Sequence, residues 1–169
     1  MEFLENIQIY GWCAERQIGV AGDVPDRVPT DPPSMRAVFG QRADPKGQEA
    51  AVASACIDAL GSWDECLLWV RQWGVFPSSE DWPQYYAARA RRNERRSLEV
   101  APGHLFYTGE TGGFAEFLQL VLQNAWDAEA LAVKSGKLSA RVFVSHDEWV
   151  QVWSNARAAH LVNAFKTGG

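Results

Sequence analysis

What the chain has little of narrows it first. Its three cysteines, Cys13, Cys56 and Cys66, are odd in number and contain no Cys-x-x-Cys pair. That leaves no support for a disulfide framework or a zinc knuckle and fits a reducing compartment. The three histidines, His104, His146 and His160, are scattered, and none has a His or Cys partner three or four residues on, so no metal-ligand spacing is present. A Gly-x-Ser-x-Gly elbow is missing. So is a Gly-Lys-Ser/Thr after the glycines of Thr108-Gly109-Glu110-Thr111-Gly112-Gly113, where Glu110 would also repel a phosphate. No run reaches the roughly 18 apolar residues of a membrane span, and Met1-Glu2-Phe3-Leu4-Glu5 has neither the basic nor the apolar region of a secretory signal. The expectation is a cytoplasmic protein with no cofactor, no metal and no membrane partner.

Positive charge is in deficit too. With 16 basic and 21 acidic residues the net charge is -5, which disfavours bulk adhesion to nucleic acid or anionic lipid. What the chain does have is apolar weight: 47% of its 169 residues are hydrophobic and eight are tryptophan, enough to build the core of one globular domain.

A second positive feature is an echo 63 residues apart. Trp63-Asp64-Glu65-Cys66-Leu67-Leu68-Trp69-Val70 is answered by Trp126-Asp127-Ala128-Glu129-Ala130-Leu131-Ala132-Val133, and Ser79-Glu80-Asp81-Trp82 by Ser145-His146-Asp147-Glu148-Trp149. Each copy follows a helical pattern. Duplication and chance recurrence in a tryptophan-rich chain both account for the echo. The spacing between the tryptophans that open and close each copy differs by four residues, and the leading helices differ by about one residue in phase. On the duplication reading, residues 1–44 form an N-terminal strand and loop segment, and residues 45–169 form two αββα-like units at about 45–95 and 110–160. The fold class is α+β, a single domain with an antiparallel sheet covered by helices.

Local patterns fill in this outline. Ile7, Ile9, Ile18 and Val20 alternate with polar residues and suggest one or two short strands before residue 21. Prolines 25, 29, 32 and 33 mark a long loop. Pro45 suits a helix start; Val52, Ala55, Cys56, Ala59 and Leu60 share a helical face, with Gly61 as terminator. Glu65 to Val70 is a strand, and a helix runs from about Glu80 to Arg92, capped by Ser78 with Asp81, or by Ser79. Phe114, Phe117, Leu118, Val121 and Leu122 define the clearest helix. Trp126 to Val133 carries alanines, Leu131 and Glu129 that could also extend the preceding helix to Gly136, and it is read as a strand because the matching Cys66 to Val70 looks like one; Arg141 to Val144 is the returning strand after Ser135-Gly136. Ser145 with Glu148 reads as a capping box for a final helix carrying Trp149, Val152, Trp153 and Ala156 on one face.

Three groups of residues are candidates for function. Trp73, Trp149 and Trp153 are candidate anchors for another protein, since a large aromatic on the surface is a characteristic hot spot. Arg89, Arg92 and Arg96 fall on one helical face within a cluster of five arginines, and guanidinium groups bind phosphate or carboxylate in bidentate fashion. His146, Asp127 and Asp64 are the acid/base candidates, the two aspartates because they occupy the same place in both copies. The function that fits best is a non-enzymatic protein-binding module, a small acidic protein of which an immunity-type inhibitor of a basic toxin is one concrete form. Nucleic-acid or nucleotide binding through Arg89 to Arg96 is the alternative, and an enzyme with a site between the two units is the second.

Overall fold

A computed structural model describes residues 1–20, 35–38, 48–147 and 149–154. The proline-rich loop at 22–33, the expected helix start at Pro45, and Glu148, Ala156 and His160 lie outside the described residues.

The strands are β1 (Glu2–Leu4), β2 (Met35–Val38), β3 (Glu65–Gln72), β4 (Gly103–Tyr107), β5 (Asp127–Lys134), β6 (Lys137–Val144) and β7 (Trp149–Ser154). They form one sheet in the order β1-β4-β3-β5-β6-β7-β2, and every neighbouring pair is antiparallel. The α-helices are α1 (Asn6–Glu15), α2 (Gln48–Leu60), α3 (Trp82–Ala90) and α4 (Thr111–Gln123), with a short 3-10 turn at Pro77–Ser79. The α+β class and the antiparallel sheet under helices are as the sequence suggests.

Alternation in the central strands dictates the layers. Cys66, Leu68 and Val70 of β3, Ala128, Ala130 and Ala132 of β5, and Ala140, Val142 and Val144 of β6 all point to one face. There they meet Val52, Cys56 and Leu60 of α2, Tyr85 and Ala88 of α3, and Phe114, Phe117 and Val121 of α4. The alanines of β5 let the α2 and α4 side chains come down onto the strand. Leu67, Trp69, Leu131 and Val133 point to the opposite face, which α1 covers with Ile9, Trp12 and Cys13. Strands buried on both sides in this way read as continuous apolar runs, as Cys66 to Val70 does. Gly61 ends α2 and donates to Ile57 O, while Asp81 caps α3, its carboxylate accepting from Gln84 N. At the β5–β6 hairpin Ser135 and Gly136 both take positive φ, 52° and 73°, the mirror-image turn that matches the twist of paired strands.

Two expectations are corrected, and a third element is new. Residues 6–15 are helical rather than extended. Ile7 and Ile9 belong to opposite sides of a helix, and a capping box at Glu5, with Gln8 reaching back, starts it where no strand partner is needed. Second, the segment after Ser145 is β7, not a helix: Val150 and Val152 are buried beneath the helices while Trp149, Gln151 and Trp153 between them are only half-buried, a period of two. The Ser145 side chain accepts from Asp147 N within the β6–β7 turn. Third, the segment at 103–107, unassigned from the sequence, is β4, which pairs with both β1 and β3.

The structure does not confirm a duplication. An offset of 63 carries Leu67, on the α1 face, to Ala130, on the helix-covered face opposite. The echo Ser79-Glu80-Asp81-Trp82 enters a helix, whereas Ser145-His146-Asp147-Glu148-Trp149 enters a strand.

α1 sits close to the sheet because Gly103 has no side chain. A Cβ there would lie 2.8 Å from Ile9 Cδ1 and 3.1 Å from Leu4 Cβ. Gly103→Ala is expected to destabilise the fold by about 1–3 kcal/mol, since fully buried Ile9 has no room to yield. Chemical denaturation of the variant measures this.

Candidate functional site

Arg89, near the end of α3, is fully buried. It donates to Tyr85 Oη at 2.8 Å, Ala101 O at 3.0 Å and Arg96 O at 3.1 Å, and its guanidinium lies 4.6 Å from the Phe3 ring. Its i, i+4 spacing from Tyr85 brings the two side chains together on α3. Tyr85 in turn donates to His104 Nε2 at 2.8 Å, and His104 Nδ1–H donates to Leu68 O at 3.2 Å. This chain from α3 to the centre of the sheet works only with a neutral imidazole. Burial first, then the nearby Arg89 charge, pushes the His104 pKa down to about 3.

The other two arginines are also engaged within the fold. Arg92 pairs with Glu116 at 2.7 Å, and Arg91 with the other oxygen of that carboxylate. Arg96 holds Glu94 at 2.6 Å and Glu5 at 3.1 Å, and donates to Phe3 O. Those hydrogen bonds lower the Glu94 pKa to about 2. Arg89, Arg92 and Arg96 therefore bind carbonyls and carboxylates of their own chain, tying the loop after α3 to α4 and the N-terminus, instead of lining an open anion site.

Of the acid/base candidates, the structure joins two and separates the third. Asp127 opens β5 and is buried; its Oδ1 accepts from His146 Nδ1 at 2.8 Å and from His146 N at 2.7 Å. The imidazole is half-buried in the β6–β7 turn, with Nε2 3.4 Å from Asp147 Oδ1 and the Phe76 ring 6.1 Å away. Asp64 lies at the far end of the sheet. Its backbone N donates to Val133 O, six residues along β5 from Asp127, or about 20 Å. Its carboxylate accepts from Ser135 N at 2.7 Å and braces the hairpin turn.

Two residues along from Asp127, on the same face of β5, Glu129 is buried between arginines. It pairs with Arg141 of β6 and, at 3.1 Å, with Arg71 of β3. Arg71 stacks over Trp69 at 4.0 Å, and Tyr10 of α1 meets Trp69 edge-on at 5.6 Å. A line of polar and aromatic groups thus runs from the middle of the sheet out to α1. Cys13 on α1 senses it: burial, then the Glu129 charge, raises its thiol pKa to about 11. The thiols of Cys56, at about 12, and Cys66 are raised by burial alone.

At the outer end of this line α1 shows an apolar face to solvent. Ile7 is 76% exposed and Tyr10 50%, with Gly11 and Ala14 exposed beside them. A Cβ on Gly11 would meet nothing within 4 Å, so the fold takes no return for a mid-helix glycine that costs about 0.5–1 kcal/mol relative to alanine. Sequence reasoning passed over these residues because Gly11 interrupted the apparent alternation of Ile7 and Ile9. The findable signal was two apolar stripes on one helix: 9, 12 and 13 inward, and 7, 10, 11 and 14 outward. Of the tryptophan candidates, Trp73, Trp149 and Trp153 are all half-buried. Trp73 packs against the helix-side core, and Trp149 stacks obliquely on Phe143 at 5.2 Å.

Comparison with known proteins finds no matching family model, curated protein or solved structure. Among the described residues no helix is long and apolar enough to cross a membrane, and no group of three or more His, Cys, Asp or Glu side chains could hold a metal ion.

Two expected outcomes follow from the buried charges. His104 stays neutral when folded, while the unfolded chain takes up a proton below about pH 6.5. The unfolded state therefore gains protons first, and stability falls with acid by up to about 1.4 kcal/mol per pH unit. The depressed carboxylates begin to act about one pH unit above their ordinary value of 4.5, so urea titrations between pH 6.5 and about 5.5 keep their contribution small. His104→Gln should flatten the slope there. Glu129→Ala, which strands Arg141 in a buried site, should cost about 3–5 kcal/mol, and the double variant Glu129→Leu with Arg141→Met should recover much of that in the same measurement.

Proposed function

We propose that the chain is a non-enzymatic module that binds another protein, and that α1 carries the contact. The observation that supports this most directly is Ile7, three-quarters exposed, next to half-exposed Tyr10 on a rigidly seated helix. Large apolar and aromatic groups held in place at low entropic cost are the material of interface hot spots. The net charge of -5 favours a basic partner approached by electrostatic steering. An immunity-type inhibitor that masks a basic toxin is the concrete form.

A second reading, catalysis at Asp127–His146, draws on one feature. A buried carboxylate that fixes the Nδ1 proton leaves Nε2 poised as a general base. Nucleic-acid binding through Arg89, Arg92 and Arg96 has less support, because those guanidinium groups spend their donors within the fold.

The immobilised full chain, presented with an extract of its native host, should retain a basic protein that binds again after purification. Ile7→Asp with Tyr10→Ala should weaken that binding by about 2 kcal/mol or more. Isothermal titration measures the affinity. Retention of no protein that rebinds, together with turnover of a small substrate lost in His146→Ala, would replace this reading with the catalytic one.

A further inference from the structure

Independently of what the chain binds, we propose that the relay of Arg89, Tyr85 and His104 is an acid-released latch: a second proton on His104 undocks α3, residues 91–102 and β1 together, while β3, β5, β6 and α4 stay in place. The direction of every bond in the relay is forced by its two ends. Arginine can only donate, so Arg89 Nη1 gives a hydrogen to Tyr85 Oη. At the other end the Leu68 carbonyl can only accept, which puts the single ring hydrogen of neutral His104 on Nδ1. Nε2 is then a bare lone pair, and the one hydroxyl hydrogen of Tyr85 points at it. A hydrogen added at Nε2 would meet that of Tyr85. The hydroxyl can turn away only by leaving its own hydrogen unpaired at a fully buried residue.

The groups that face the ring give an added charge no partner. From α3 come Tyr85 and the Arg89 guanidinium, and from the turn beyond α3 comes the charge of Arg92. β3 supplies the Leu68 carbonyl, and the residue before β4 supplies that of Pro102. β1 and α4 present the rings of Phe3 and Phe117, centred 5.2 and 4.8 Å away. Two of these groups are cations and none is a carboxylate. Glu94, in the loop that Arg89 holds, is clasped by Arg96 at 2.6 Å.

One corner moves because two arginines tie it together. Arg89 gathers the carbonyls of Arg96, Ser97 and Ala101, and Arg96 in turn holds Phe3 O and Glu5. Tyr85 therefore cannot step back from the ring without drawing the loop after α3 with it, and through that loop β1, a three-residue strand at the edge of the sheet. The centre of the sheet is fastened differently. There Glu129 of β5 joins Arg141 of β6 and Arg71 of β3, a link that contains no histidine.

Native-state hydrogen exchange of the isotope-labelled full chain, corrected for the intrinsic exchange rate at each pH, tests the latch. Ala88 and Arg89 of α3 and Leu4 of β1 should share one opening constant, at least about tenfold larger than that of Leu131 and Val142. Between pH 7 and 5.5 it should rise about eightfold, the uptake of one proton by an ordinary histidine in the opened corner. Nitrogen spectra of the histidine rings should show His104 fixed as the neutral Nδ1–H tautomer while the corner is closed. In His104→Gln the corner should open to the same extent at both pH values; if that variant does not fold, the wild-type measurements decide by themselves. The opposite tautomer, a His104 ring that gains its proton with the corner still protected, equal opening constants for corner and centre, or a corner opening constant that ignores pH would each overturn the proposal.

Discussion

The structure depends on the requirement that β3 and β5 bury both of their faces. Placed side by side at the centre of the sheet, they leave no surface for water, so each side chain must match a partner layer above or below. The helix side is met by small residues on β5 and larger ones on α2 and α4. The other side is met, among the described residues, by α1, which reaches the sheet because Gly103 clears its path. Among the described residues one face is thus covered by three helices and the other by one, and the outer face of α1 is exposed.

Burying both faces also explains where the charges went. Glu129 and Asp127 fall on the α1 side of β5 by strict alternation, so each needs a partner inside the protein. Arg141 and Arg71 neutralise the first and the His146 side chain and backbone occupy the second. Ion pairs of this kind add little net stability over apolar packing, but breaking them is costly, and they fix strand register because a slipped strand would bury an unpaired charge. The chain of Arg89, Tyr85 and His104 does the same for α3, tying it to the middle of the sheet.

The parts of the fold that could be read from the sequence are those whose period is long and uninterrupted. The helical faces of α2 and α4, the strands β3 and β6, and the hairpin at Ser135-Gly136 all stand where residue spacing puts them, whereas β5, rich in helix-forming residues, is legible only through its echo of β3. The misreadings share a cause. In Trp149 to Trp153 four apolar residues satisfy both periods, in Ile7 to Ile9 two are too few to set one, and in each only the neighbours decide. β4 carried no signal of its own because His104 is a buried strand residue whose polarity is satisfied by distant Tyr85 and Leu68. The pairing of Asp127 with His146 was partly visible, in that both residues stood out, but their contact follows from β6 returning beside β5 and not from spacing along the chain. The engagement of Arg89 was hidden for the same reason: a helical arginine on a sequence wheel looks the same whether its fork meets solvent or the carbonyls of a returning loop.

The three thiols lie at three different depths of this architecture. Cys13 lies beneath α1, Cys56 on the inner face of α2, and Cys66 in the strand between them. Burial suppresses their ionisation, so alkylating reagents reach each one only when the layer above it lifts. The chain therefore carries its own record of local opening: modification of Cys13 ahead of the others would time the detachment of α1, while simultaneous modification of all three would mean that the layers separate as one unit.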